Sequence, residues 1–229
     1  MDFYNQLLAQ KLSGGGGGGD SNAAFKALVD KSITEVTSDM LQGITTIGES
    51  AFYKCQSLTS ITIPNSVTIF RSSAFSGCSN LTSITIQNTS TGLPSYIFYN
   101  CINLTYVEIQ SGRGTIGSSA FENCQSLPNI EIPEGFTNID YAAFRSCTSL
   151  TSIDIPSTAS GISYPFPGCT SLANVTVKAL QPPKLGNNAV FDGVSQNLVI
   201  YVPAASVETY KAAQYWSTYA DKIQAIPSE

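Results

Sequence analysis

The stretch Ala51–Ser73, AFYKCQSLTSITIPNSVTIFRSS, decides the fold, because the chain repeats it. Phenylalanine returns at Phe52, Phe75, Phe98, Phe121, Phe144 and Phe166, and cysteine at Cys55, Cys78, Cys101, Cys124, Cys147 and Cys169, both at spacings of 23, 23, 23, 23 and 22. A leucine stands three residues after each cysteine: Leu58, Leu81, Leu104, Leu127, Leu150 and Leu172. Two β-branched columns complete the unit. The first is Ile61, Ile84, Val107, Ile130, Ile153 and Val175; the second is Ile63, Ile86, Ile109, Ile132, Ile155 and Val177. A fixed period in the twenties marks a solenoid, in which each repeat stacks on its neighbours alone.

Within a repeat, the segment from Leu58 to Ile63 alternates apolar and polar residues, the pattern of a short strand with one buried face. Pro64, Pro133 and Pro156 end it in three turns. Stacked at about 4.8 Å per turn, six such strands give a parallel sheet roughly 30 Å long. A looser extended arm, Val67–Phe70 and its equivalents, is expected to lead into a tight helical turn at Ala-Phe, with the phenylalanine filling the back of the core. The column Ser57, Asn80, Asn103, Ser126, Ser149 and Ser171 offers short polar side chains that can satisfy loop backbone in adjacent turns. Cysteine in strict register with core leucines reads as six buried free thiols, since a small, soft side chain suits a column between turns, while the closeness of neighbouring turns leaves disulfide pairing as the alternative.

The two ends read differently. Residues 2–12 carry Phe3, Leu7, Leu8 and Leu12 at near-helical spacing, and the run Gly14–Gly19 is a flexible tether. Residues 1–20 thus form either an attachment device or a disordered leader. Residues 21–50 form an N-terminal cap, with a helix over 22–30 capped by Ser21 and half-repeats at Ile33–Val36 and Ile44–Ile47 masking the open sheet edge. Six repeats occupy 51–178. Residues 179–229 form a C-terminal cap, with one strand over Leu198–Val202 and a helix from Ala204 capped by Ser206, its apolar set being Val207, Tyr210, Trp216, Tyr219 and Ile223.

Composition narrows the function. Charged residues are 12% of the chain and the net charge is −5, so the basic stripe of a nucleic-acid binder is missing. No stretch approaches a membrane span, and the N-terminus does not read as a signal peptide, which leaves a cytoplasmic or particle-associated location, with surface display by a non-Sec route. The chain has no histidine, so Ser-His-Asp and Cys-His catalysis are impossible. A ladder of thiols runs along a line, whereas an all-cysteine zinc site needs four converging thiolates. No phosphate-binding glycine loop follows a strand. The expectation is a protein that is not an enzyme and holds no cofactor or metal.

The repeat pattern of Ala-Phe, Cys, Leu-x-x-Ile-x-Ile-Pro and Val-x-x-Ile closely resembles the BspA-like (Treponema pallidum type) leucine-rich repeat family, over about Ile44–Lys178. The resemblance implies a repeat solenoid: a right-handed leucine-rich-repeat array of 23-residue turns, with a parallel β-sheet on one face and helical caps at both ends. It also implies protein–protein contact, often adhesion or receptor recognition at a cell surface. The tail Ile200–Trp216 is similar to endings found in such proteins of gut bacteria. The opening, a short leader and a glycine run, resembles phage-encoded or prophage-encoded repeat proteins, which implies the alternative of a structural or host-recognition accessory of a phage particle.

The candidate binding residues lie on the outward face of the strands. Between the two β-branched columns stand Thr62, Thr85, Glu108, Glu131, Asp154 and Thr176. Glu108, Glu131 and Asp154 in consecutive turns would lie about 5 Å apart, which is unfavourable unless a cation compensates. Tyr106, one strand-step earlier, adds an aromatic of the kind enriched at binding hot spots. Tyr106, Glu108, Glu131 and Asp154 therefore form either a contact patch for a protein partner, basic or on a host surface, or a solvated polar face that discourages aggregation.

Overall fold

A computed structural model describes residues 33–228. The leader, the tether and the helix expected over 22–30 lie outside the described residues. Two ladders of short parallel strands run along the coil. The front is built from the odd-numbered strands β1 (Glu35–Val36), β3 (Ser60–Ile63), β5 (Ser83–Ile86), β7 (Tyr106–Ile109), β9 (Asn129–Glu131), β11 (Ser152–Ile155), β13 (Asn174–Val177) and β15 (Val199–Val202). The back is built from β2 (Thr46–Ile47), β4 (Ile69–Phe70), β6 (Gly92–Leu93), β8 (Gly114–Ile116), β10 (Phe136–Ile139), β12 (Gly161–Ile162) and β14 (Lys184–Leu185). The looser arm of the sequence reading is thus a second parallel ladder. Side-chain alternation is kept on the front: Ile61, Ile84, Ile130, Ile153 and Val175 are buried, each level with its counterpart in the next registered strand.

The core between the ladders is a column of rings. Phe52, Phe75, Phe98, Phe121, Phe144, Phe166 and Phe191 stack in sequence, with centroids 5.0, 5.5, 5.1, 5.1, 5.9 and 5.7 Å apart. Phe191 belongs to a further turn that the sequence pattern hides after Val177. Its β14 pairs with β12, its β15 pairs with β13, and Ser195 stands where a cysteine stood before, its carbonyl accepting the Leu198 N–H at 3.1 Å.

The turn around each phenylalanine is not helical. The residue two before it is left-handed at Ser50, Ser73, Tyr96, Ser119, Ala142 and Tyr164, and so is the residue two after it at Lys54, Gly77, Asn100, Asn123, Ser146, Gly168 and Gly193. This alternation swings the N–H groups out of the local turn and toward the next coil. Phe52, Phe75, Phe98 and Phe121 donate their N–H to Ala74, Ile97, Ala120 and Ala143 at 2.7–2.9 Å.

The cysteines have a specific task in this turn. Each phenylalanine carbonyl accepts the N–H of the cysteine three residues on, as in Cys78 to Phe75 at 3.2 Å. Its second lone pair accepts the thiol of the following turn: Cys78 to Phe52, Cys101 to Phe75, Cys124 to Phe98, Cys147 to Phe121 and Cys169 to Phe144, at 2.9–3.3 Å. All six thiols are free and buried. Burial pushes the Cys101 thiol up to about 12, and Cys124 and Cys147 also well above the ordinary value. A neutral thiol is what this donor role requires. The asparagines of the neighbouring loop act similarly: Asn80 and Asn103 donate side-chain N–H to Gln56 and Ser79 carbonyls at 2.7 and 2.9 Å.

The C-terminal end departs from the single long helix expected. A 3-10 turn over Ala204–Ser206 leads into α1 (Val207–Ala212), and Ser206 makes no side-chain cap. A second 3-10 segment covers Trp216–Lys222, and Ile223 starts β16 (Ile223–Ala225), which pairs with β15. The reason lies in the carbonyls of the last turns, which need donors. Tyr210 Oη, Trp216 Nε1 and Tyr219 Oη supply them to Ala179, Pro183 and Asn188, each at 2.7 Å. Tyr219 and Trp216 also close over the exposed end of the ring column, 5.1 and 6.0 Å from Phe191.

Candidate functional site: a cleft in the front sheet

Neither ladder is continuous. The back divides between β4 and β6, where the Ser90 N–H and hydroxyl both reach the Thr68 carbonyl instead. The front divides between β7 and β9, giving sheets of four and five strands. At that second break β8 and β10 still pair, through a register shift between Phe136 and Asn138.

One residue explains the front break. The column that enters each strand reads Thr59, Thr82, Thr105, Pro128, Thr151 and Ala173. The N–H of Thr59, Thr82, Thr105 and Thr151 donates to the carbonyl one turn back at 2.7–2.9 Å, and each hydroxyl donates to the same oxygen. Ala173 keeps the N–H bond, to Thr151 at 3.0 Å. Pro128 has neither donor, so the Thr105 carbonyl is left without its partner. Pro133, at the other end of β9, also lacks an N–H. Pro156 occupies that same column, however, and the strand before it still pairs, so the entry proline makes the difference.

The break opens a cleft of about 450 Å³. Tyr106 to Gln110 line one side, and Asn129, Glu131 and Pro133 the other. Val107, whose counterparts in the other turns are buried, is only half-buried here, and Tyr106 is 53% exposed.

The structure brings together two of the three acids and separates the third. Glu131 and Asp154 are level in register. Lys178 Nζ lies 3.3 Å from Glu131 Oε1 and 3.3 Å from Asp154 Oδ2, so the cation needed to relieve this pair comes from the chain itself. Burial alone would lower the Lys178 ammonium, but the Asp154 and Glu131 carboxylates outweigh it and hold it above its ordinary value. Glu108 lies across the cleft. Its Oε2 accepts the Thr85 hydroxyl and its Oε1 the Gln110 amide, both at 3.2 Å. Among the described residues, no lysine or arginine nitrogen lies within 4.0 Å of it. Its charge pushes the phenol of Tyr106 above the usual tyrosine range.

Sequence reasoning named Tyr106, Glu108, Glu131 and Asp154 but missed Pro128 and Lys178. Pro128 was visible as the lone proline in a threonine column. Lys178 was visible as the cation following Val177, where other turns carry proline or glutamine. Among the described residues, no group of three or more acids or cysteines is placed to hold a metal ion, and no helix is long and apolar enough to cross a membrane.

The chain is similar to solved structures of leucine-rich repeat proteins. A leucine-rich repeat protein from Bacteroides ovatus is 28% identical with a TM-score of 0.59, over 74% of this chain and 42% of the other. The chain therefore spans less than half the length of that protein. A leucine-rich repeat protein of T. pallidum is 26% identical with a TM-score of 0.63, over 78% of this chain and 82% of the other. No curated protein matches. The model of the BspA type leucine-rich repeat region matches in six copies, over residues 22–112, 45–173 and 91–212. With that match across more than half of its length, the chain belongs to the BspA type leucine-rich repeat family.

Proposed function

We propose that the chain is a non-enzymatic scaffold that binds a protein partner on its front sheet, in adhesion or receptor recognition, with Tyr106, Glu108, Glu131 and Asp154 in the contact. We take the coil to be right-handed, as parallel crossover connections nearly always are. The observation that carries the reading is the half-exposed Tyr106 ring beside a cleft in an otherwise regular sheet. A rigid aromatic next to a concavity gives a partner a place to anchor, and the flanking acids favour a basic partner surface. Membership of a leucine-rich repeat family supports protein contact as the general task.

The test places a photo-crosslinking residue at Asn174 in β13 on the front, and separately at Lys184 in β14 on the back, and exposes both to cell-surface extract. Adducts from the front position alone are expected, weakened by Glu131→Lys. Equal labelling from both faces, or labelling indifferent to Glu131→Lys, would refute the front-sheet contact.

A further inference from the structure

We propose that the cleft between β7 and β9 receives a guanidinium group, the arginine side chain of an extended segment of the partner. This deepens the reading above and rests on it. The carboxylates alone would be a solvated pair. What sets the place apart is the combination of a concavity, an aromatic face and acceptors left over from the missing ladder. Ile109 lines the cleft, and its carbonyl stands where Pro133 can give no N–H, while the Thr105 carbonyl left by Pro128 lies at the entry to the strand. Among the described residues Glu108 meets neutral donors and no cation, and Asn129 adds a side-chain amide to the facing wall. Lys178 serves the Glu131–Asp154 pair on the far side and leaves Glu108 unneutralised.

This set of acceptors suits one cation better than another. A lysine ammonium is a compact charge with three donors, strongly hydrated and indifferent to flat surfaces. A guanidinium is planar, carries five donors in a fixed fork, and stacks on an aromatic ring. It can face the Tyr106 ring while donating in its own plane to Glu108 and to main-chain oxygen, a charge-assisted arrangement stronger than neutral hydrogen bonding. A volume of about 450 Å³ admits the group and part of its stem.

The experiment titrates the full chain, labelled with ¹⁵N, with three capped tripeptides of the form Gly-X-Gly in which X is arginine, lysine or citrulline. The arginine peptide is expected to shift the backbone amides of Val107, Glu108 and Asn129 saturably. The lysine peptide should bind roughly threefold or more weakly, and the neutral citrulline peptide should not saturate. Glu108→Gln should abolish the arginine response. Pro128→Thr is the decisive variant, because it keeps Tyr106 and every carboxylate but restores the N–H and hydroxyl that close the ladder. It should lose arginine binding with an equal or higher Tm. Equal binding of arginine and lysine peptides, undiminished binding by Pro128→Thr, or no saturable shift at all would each overturn the proposal. Front-face crosslinking at Asn174 together with a silent arginine titration would leave the scaffold standing and remove only the guanidinium site. Arginine binding with equal labelling of both faces would do the reverse.

Discussion

The junction of β11 with β13 and the junction of β7 with β9 are built from nearly the same repeat, yet one is zipped and the other open. β11 and β13 share four registered pairs from Ser152–Asn174 to Ile155–Val177, whereas no ladder joins β7 to β9. The ring column does not register the difference. Phe98 and Phe121 are 5.1 Å apart across the open junction, and Phe144 and Phe166 are 5.9 Å apart across the zipped one. The thiol bonds, Cys124 to Phe98 and Cys169 to Phe144, also persist at 3.3 and 2.9 Å. Cohesion across the open junction thus resides in the phenylalanine and cysteine columns with the β8–β10 pairing of the back. The front ladder is the part that can be opened to make a site.

The strongest way to break this comparison is to remove a ring. Phe121→Ala should cost about 3–5 kcal/mol, as large-to-small core changes do. The loss should be greater than for Phe166→Ala, because the open junction has no front ladder to share the load. Urea unfolding should become biphasic for Phe121→Ala and stay single for Phe166→Ala, since an array divides at its weakest interface. Equal losses with single transitions in both would place the cohesion in the sheet instead.

Smaller changes sharpen it. Cys124→Ala leaves the buried Phe98 carbonyl with one hydrogen bond in place of two, and is expected to cost about 1–2 kcal/mol in thermal melts. Cys124→Ser should recover part of that loss if the bond matters more than sulfur's bulk. Pro128→Thr should stabilise by about 1 kcal/mol: two restored hydrogen bonds outweigh the chain entropy that proline removes from the unfolded state. A drop in Tm on Pro128→Thr would mean that the open junction is held apart by something other than the missing donors.

These contrasts also show what the sequence made legible. Phe52 to Phe166, the cysteines and the leucines fixed the stacking register because each fills the same buried point in every turn. The left-handed turn at Ala-Phe was not legible, since serine, tyrosine, lysine and asparagine all occupy its positive-φ positions and glycine only some. The turn at Phe191 was hidden because its cysteine became serine and its spacing lengthened from 22 to 25. At the site, the residue types were readable but their grouping was not. Consecutive acids imply an even column only if the ladder is intact, and Pro128 interrupts it between Glu108 and Glu131. The long reach of Lys178, which joins Asp154 and Glu131 from one and two turns away, has no counterpart in any fixed spacing.

The smallest expected effect belongs to Lys178, and it bears on both sides of the comparison. Lys178 bridges acids on exposed surface, its side chain 38% accessible, so solvent screening limits the pair interactions to about 0.2–1 kcal/mol. Its folded pKa is raised, so its stabilisation is fully present below the ordinary lysine value near 10.4 and disappears as pH climbs through the higher folded value. Lys178→Met should therefore melt slightly below the parent at pH 7–9, and the two should converge at more alkaline pH. In the cleft the sign reverses. Removing the ammonium leaves Glu131 without its cation and makes the wall facing Glu108 more negative, so the capped arginine peptide should bind more tightly to Lys178→Met, and the gain should fade with added salt. A variant that melts lower yet binds arginine no better would show that Glu131 takes no part in the cleft's chemistry, leaving Tyr106 and Glu108 of β7 as its sole reading edge.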